Sequence, residues 1–250
     1  MFRRREDRKL EGPGGPAPLK ETKTAGIIAA GDGSRFKKSG VFMHKPLIPV
    51  AGLPLIGHAL KNMESLGVQK VVIIFNESET DCVRWVEQNF PRLEFQFIVK
   101  STRSSYESFC LVGEKLGPGR HLISTVDAFC LVKDLKKMWM DIDPESVILG
   151  VTSFVDDEKP LWVQIEKKTG RIRDLGGPSG QYATAGLYYV PDGIFKKHPD
   201  APMASLRWYL KWLLEEGIPF YGARLTKVVD VDMPKDVKEA EKLYQRAQNR

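Results

Sequence analysis

The sequence predicts an α/β fold, a Rossmann-like three-layer sandwich with a mostly parallel, partly mixed sheet and helices on both faces. Two observations carry this. Strand and helix signals alternate from residue 24 onward, giving three or more βα repeats in the first half. In the second half, strand-like runs follow one another through turn residues, as in mixed pairing.

Taken in order, Ala25 to Ala30 is a short apolar run that ends at Gly31, as a buried strand does when it delivers the chain into a loop. Leu55 to Leu66 sets Ile56, Ala59, Leu60, Met63 and Leu66 on one helical stripe. Val71 to Phe75 reads as a second core strand, Thr80 to Asn89 as a helix stopped ahead of Pro91, and Phe95 to Val99 as a third strand. Ser104 and Glu107 have capping-box spacing and open a helix that runs to about Leu116 and stops at Gly117. Leu122 to Val126 is strand-like again. Ser146 to Ser153, Trp162 to Glu166, Arg171 to Leu175 and Tyr182 to Val190 follow as strands. A last helix begins at Pro234, with Val237, Ala240, Leu243, Tyr244 and Ala247 on one stripe. With no internal repeat and no second linker, residues 24–250 are expected to form one domain.

Composition excludes several classes. An apolar fraction of 42% with 28% charged residues over 250 positions is globular, neither disordered nor membrane-like. The longest apolar runs fall far short of the roughly 20 residues a membrane span needs. No apolar segment follows Arg3, Arg4 and Arg5, so a secretory signal is excluded and a soluble cytoplasmic protein is expected. Cys82, Cys110 and Cys130 lack metal-ligand spacing and read as small buried residues, without a disulfide framework or zinc. The net charge is +6, and residues 1–23 hold seven basic and four acidic side chains among glycines and prolines. This stretch is expected to be a flexible leader. It lacks aromatic interleaving, so nucleic acid is not an expected partner.

The glycine-rich loop after the first strand is the strongest clue to chemistry. Ile27-Ile28-Ala29 runs into Ala30-Gly31-Asp32-Gly33-Ser34-Arg35, and bare glycine amides can approach an anion without a Cβ in the way. A dinucleotide fingerprint would need glycine where Phe36 stands, and a Walker A loop would need Gly-Lys-Ser/Thr; neither is present. The loop does offer Arg35, followed by Lys45 ahead of Pro46. An arginine fork and a lysine point charge suit a triphosphate carrying about four negative charges.

On these residues the chain resembles the nucleotidyltransferases that join a nucleoside monophosphate to a phosphorylated sugar or small phospho-alcohol and release pyrophosphate. Ile28-Ala29-Ala30-Gly31-Asp32-Gly33-Ser34-Arg35 and His44-Lys45-Pro46-Leu47 match the two parts of their signature, and Gly52-Leu53-Pro54-Leu55-Ile56 matches the segment that follows. The resemblance covers residues 25–245 and implies a GT-A-like version of the predicted fold. It also implies an Mg²⁺ cofactor, held by Asp127 after the Leu122 to Val126 strand and by Asp232 in Val229-Asp230-Val231-Asp232-Met233-Pro234, with Asp230 in reserve. Asp236, near the third helical position, reads as a cap for helical amides.

Carried over residue by residue, the resemblance assigns Lys45 to the α-phosphate, and Arg35 with the Gly31 to Ser34 amides to the β and γ phosphates. Backbone near Ala29, Ala30 and Gly31 would read the base, Gly33 and Ser34 would hold phosphate, and Asp32 would point away from it. Ser105, with Ser104 and Tyr106, falls where members contact the base, although the capping-box role competes there. On the acceptor side, Gly186 in Thr184-Ala185-Gly186-Leu187-Tyr188-Tyr189 and Glu166 near the Gly170 hairpin are the implied contacts. The Glu-Lys-Pro element common in sugar-1-phosphate enzymes is replaced by Leu175-Gly176-Gly177, so the acceptor class stays open between sugar phosphates and phospho-alcohols such as phosphocholine or inositol phosphate. His44 is either a phosphate contact or a loop residue. Trp208 and Trp212 read as packing or subunit contact, which leaves a homodimer open.

Two other classes stay in view. A metal-dependent glycosyltransferase of the related fold would show Asp-x-Asp where Asp127-Ala128-Phe129 stands, and would have no need of Arg35 with Lys45. A non-catalytic nucleotide-binding module would release no pyrophosphate.

Overall fold

The computed structural model describes residues 24–154 and 160–248; the leader expected over residues 1–23 lies outside them. The first half alternates strand and helix as the periodicity predicts. It runs β1 (Thr24–Ala29), α1 (Ser34–Lys38), β2 (Pro49–Val50), β3 (Leu53–Pro54), α2 (Leu55–Ser65), β4 (Lys70–Phe75), α3 (Thr80–Asn89), β5 (Glu94–Val99), α4 (Ser105–Gly113) and β6 (Arg120–Thr125). The second half holds β7 (Ala128–Phe129), α5 (Val132–Leu135), β8 (Val147–Thr152), β9 (Trp162–Ile165), β10 (Ile172–Leu175) and β11 (Tyr182–Pro191). It closes with α6 (Leu206–Glu215), β12 (Phe220–Arg224), β13 (Val229–Asp230) and α7 (Pro234–Gln248).

Across the main sheet the order is β5-β4-β1-β6-β11-β8-β12, and β9 with β10 extends it alongside the start of β11. The pairs β5–β4, β4–β1 and β1–β6 are parallel, as βα crossovers require. β11 then runs antiparallel to β6, β8 and β9, while β12 returns parallel to β8. The fold is therefore the mostly parallel mixed sheet that the sequence predicts.

Each central strand is apolar on both faces, because both are covered. Ile27, Val71 and Ile73 face a core that includes Leu60, Met63 and Val86 from α2 and α3. Ile28, Val72 and Ile74 face the opposite core, with Phe109 and Val112 from α4 and Leu210 and Leu213 from α6. Burial of such side chains contributes about 1.5–3 kcal/mol each. All three cysteines are buried, Cys82 and Cys130 in the first core and Cys110 in the second.

Four elements carry no clear sequence signal. The helix α1 is only five residues long, below what a periodicity can register. Strand β12 contains Gly222 and Ala223 instead of an apolar run, and is a strand because β8 pairs with it in register. Strands β7 and β13 are two residues each and exist through their mutual pairing, Val229 with Phe129 and Asp230 with Ala128. Trp212 stacks on Tyr209 with ring centroids 5.7 Å apart, whereas Trp208 is 59% exposed and is not a packing residue among the described ones. No helix among the described residues is long and apolar enough to cross a membrane.

Candidate active site

The site forms where β1 and β6 end. β1 delivers Ala30 and Gly31 into a loop, and Gly33 takes the left-handed conformation (φ 61°) that turns the chain into α1. Phe36, the residue that breaks a dinucleotide fingerprint, is 1% exposed: it anchors this turn in the core and leaves Arg35 pointing outward. Asp32 stays within the loop, where its carboxylate accepts the Ser34 amide at 3.0 Å. One of the amides assigned to phosphate by resemblance is thus engaged by the loop's own aspartate.

β6 ends at Thr125, and the next residues are held on both sides. The Val126 amide donates to the Ile28 carbonyl at 3.0 Å, and the Asp127 carbonyl accepts the Val231 amide at 3.0 Å. The second bond, with the β7–β13 ladder, ties the β6 end to the segment that carries Asp230 and Asp232. As a result Asp127, Asp230 and Asp232 each place a carboxylate oxygen within 4.8 Å of the others. Three hard oxygen donors without Cys or His are the chemistry of Mg²⁺ or Mn²⁺ sites, not of soft-metal sites. Asp230, the reserve candidate, therefore belongs to the cluster together with Asp232.

Both motif cations lie on this triad. Lys45 Nζ donates to Asp127 Oδ2 at 2.6 Å and also to Asp232 Oδ1, while Arg35 Nη1 donates to Asp232 Oδ2. Burial alone would push the Lys45 ammonium down, but Asp127 and then Asp232 outweigh it and hold the group above its ordinary value. Burial would likewise raise the Asp127 carboxyl, and the Lys45 charge instead holds it below the usual range. Asp236 takes the role read for it, with a shift of partner. Its Oδ2 accepts the Asp232 amide at 3.0 Å and the Met233 amide at 2.8 Å, just ahead of the helix and not inside it.

Next to the triad opens a cleft of about 200 Å³, lined among others by Thr125, Thr184, Gly186, Tyr188, Arg207 and Asp230. Gly186 is set by geometry. Its φ is 67°, and a Cβ there would lie 2.4 Å from Thr125 Oγ1. Glycine is the residue that lets β11 press against the Asp127 loop. Glu166 does not line this cleft: the structure places it on the β9–β10 hairpin, bonded to Thr169 and Arg173. Ser105 opens α4 and accepts the Leu206 amide at 3.0 Å, tying α4 to α6, while Ser104 caps α4 through the Glu107 amide. Phe154 and Arg207 also line the cleft, and neither sits in a motif by which sequence reasoning could find it.

His44 sits with its ring nitrogens 3.7 Å from Glu79 and from Asp81 at the start of α3. Glu79 is buried, and that burial, opposed by the Asn76 amide and reinforced by Asp81, pushes its carboxyl up to about 7. A carboxyl raised on folding stabilises the fold fully only below its unfolded value of 4.5, and that contribution is lost as the pH rises through about 7. Glu79→Gln should remove this dependence. The stability of wild type relative to the variant should fall by about 1–2 kcal/mol between about pH 5 and about pH 8 in urea denaturation. A difference that does not change with pH would assign the titration to another group.

Residues 25–148 match the MobA-like NTP transferase domain. The chain is 24% identical over 226 residues to the bifunctional IPC transferase and DIPP synthase of Aquifex aeolicus, covering 88% of this chain and 51% of that one. It is 27% identical over 144 residues to the bifunctional protein GlmU of Oceanobacillus iheyensis, covering 58% of this chain and 26% of that one. The matched regions thus span about half or less of these curated relatives. Among solved structures, the inositol-1-phosphate CTP transferase from T. maritima superposes with a TM-score of 0.78 at 18% identity, over 89% of this chain and 96% of that one.

Proposed function

We propose that this chain, a member of the NTP transferase family through residues 25–148, moves a nucleoside monophosphate from a nucleoside triphosphate to a phosphorylated small-molecule acceptor and releases pyrophosphate. The acceptor in this reading is a sugar phosphate or a phospho-alcohol of the inositol phosphate or phosphocholine type. The observation that carries it is the convergence of Arg35, at the start of α1, and Lys45, beyond its end, on the Asp127, Asp230 and Asp232 cluster beside a polar cleft.

An acceptor phosphate is ionised at neutral pH, so its oxygen can attack the α-phosphorus without a protein base or nucleophile. The new O–P bond forms in line with the bond to the departing pyrophosphate. Catalysis then rests on positioning and on charge. Lys45 meets the α-phosphate, and Arg35 with the Gly31 and Gly33 backbone holds the β and γ phosphates, the Ser34 amide being held by Asp32. The backbone at Ala29 and Ala30 lies at the end of β1, where a base edge can be read. Thr125, Thr184 and Arg207 face the acceptor across the cleft. Asp127 and Asp232, with Asp230 beside them, would hold one Mg²⁺, which supplies charge neutralisation at the reacting phosphates when bound.

The test is pyrophosphate release from each of four nucleoside triphosphates with Mg²⁺, against a panel of phosphorylated sugars and phospho-alcohols. One nucleotide and acceptor pair should release pyrophosphate in step with product. Absence of acceptor-dependent release across the panel would refute the reading.

A further inference from the structure

Asp232 has both carboxylate oxygens engaged, one by Lys45 and the other by Arg35, and Asp127 has one engaged by Lys45. Three of the carboxylate oxygens in the cluster suited to a divalent ion therefore also neutralise Lys45 and Arg35. We propose that Lys45 and Arg35 form a counter-ion latch on the acidic triad: they occupy it before nucleotide binds, and the triphosphate clears it by drawing both cations onto its own oxygens. This rests on the reading of the triad as the metal site.

Two features make the latch conditional on an anion. The Lys45 side chain is 9% exposed, so its ammonium cannot swing into water and needs an anionic partner wherever it lies. A phosphate arriving between the Gly33 loop and Lys45 provides that partner; these segments already approach closely, a Cβ on Gly33 lying 3.5 Å from Lys45 Cβ. A dication entering alone would instead share Asp127 and Asp232 with a buried ammonium of like sign, which costs energy at such short range. Arg35, with 47% of its side chain exposed, can leave toward solvent and is the weaker half of the latch. Metal affinity thus becomes conditional on nucleotide and, by linkage, nucleotide affinity conditional on metal. The metal enters with the triphosphate instead of before it.

The experiment measures Mn²⁺ binding to the full chain without nucleotide, by electron paramagnetic resonance of the free ion, with circular dichroism as the check on folding. Wild type should bind weakly. Lys45→Met should bind at least about tenfold more tightly, and Arg35→Met should shift in the same direction by less. Adding Asp127→Asn to Lys45→Met should abolish the gain. Wild type and Lys45→Met binding equally tightly, with Asp127 still required, would overturn the latch and leave the triad as the metal site. Absence of Asp127-dependent Mn²⁺ binding in every variant, with or without nucleoside triphosphate, would overturn both. Should Lys45→Met fail to fold, Arg35→Met, at an exposed position, decides by the same criterion: unchanged affinity overturns the proposal.

Discussion

Lys45→Ala is expected to lower turnover by about 10²–10³-fold, roughly 3–4 kcal/mol of transition-state stabilisation, while the apparent affinity for acceptor changes little. The buried ammonium sits between Asp127 and Asp232 where the nucleotide-binding segment meets the triad, so the charge it offers is matched best when charge develops at the α-phosphorus. Separate determination of kcat and KM for the acceptor checks this. A variant with normal kcat and a raised acceptor KM would place Lys45 at the acceptor instead. Loss of a buried cation from beside Asp127 and Asp232 also leaves carboxylates facing one another. Thermal unfolding of the variant therefore has to be followed alongside, so that lost turnover is not confused with lost fold.

The second large effect is expected at the carboxylates. Asp127→Asn and Asp232→Asn should each lower activity by at least about 10²-fold, and the double substitution should cost little more than either alone, because the two act on one ion. Asp230 lies within the same 4.8 Å cluster but is exposed where Asp127 and Asp232 are half-buried, so Asp230→Asn should give a smaller loss with a raised Mg²⁺ requirement. Asp236→Asn is the control. Its side-chain oxygen can still accept one of the Asp232 and Met233 amides, so about 1 kcal/mol of stability should be lost while the Mg²⁺ dependence stays that of wild type. Activity measured across a Mg²⁺ titration separates the four. A full set of wild-type titration curves would remove the triad from the chemistry.

The core strands and helices were legible because their signals are local. Val71 to Phe75 is apolar on both faces, Thr80 to Asn89 has clear ends, and Ser104 announces the start of α4, each within a handful of neighbouring residues. Arg35, Lys45, Asp127 and Asp232 were legible for another reason: they sit in short segments whose spacing resembles a family signature.

What the sequence by itself determined was therefore the alternation of elements, the loop that replaces a dinucleotide fingerprint, and the identity of the charged residues at the ends of β1 and β6. Only the tertiary structure decided how those charges meet. The β7–β13 ladder is two residues long, and the Val231 amide bonds to the Asp127 carbonyl across more than a hundred positions, so no periodicity could register either. That pairing brings Asp230 into the triad and turns Asp232 onto Lys45 and Arg35. Gly186 lets β11 approach Thr125 closely at the cleft, and Glu166 lies outside that cleft on its own hairpin. The physical reason is that strand propensity and charge are properties of nearby residues. The distance between two carboxylates, or between a carboxylate and an ammonium, is set by sheet order and by hydrogen bonds between segments remote in the chain.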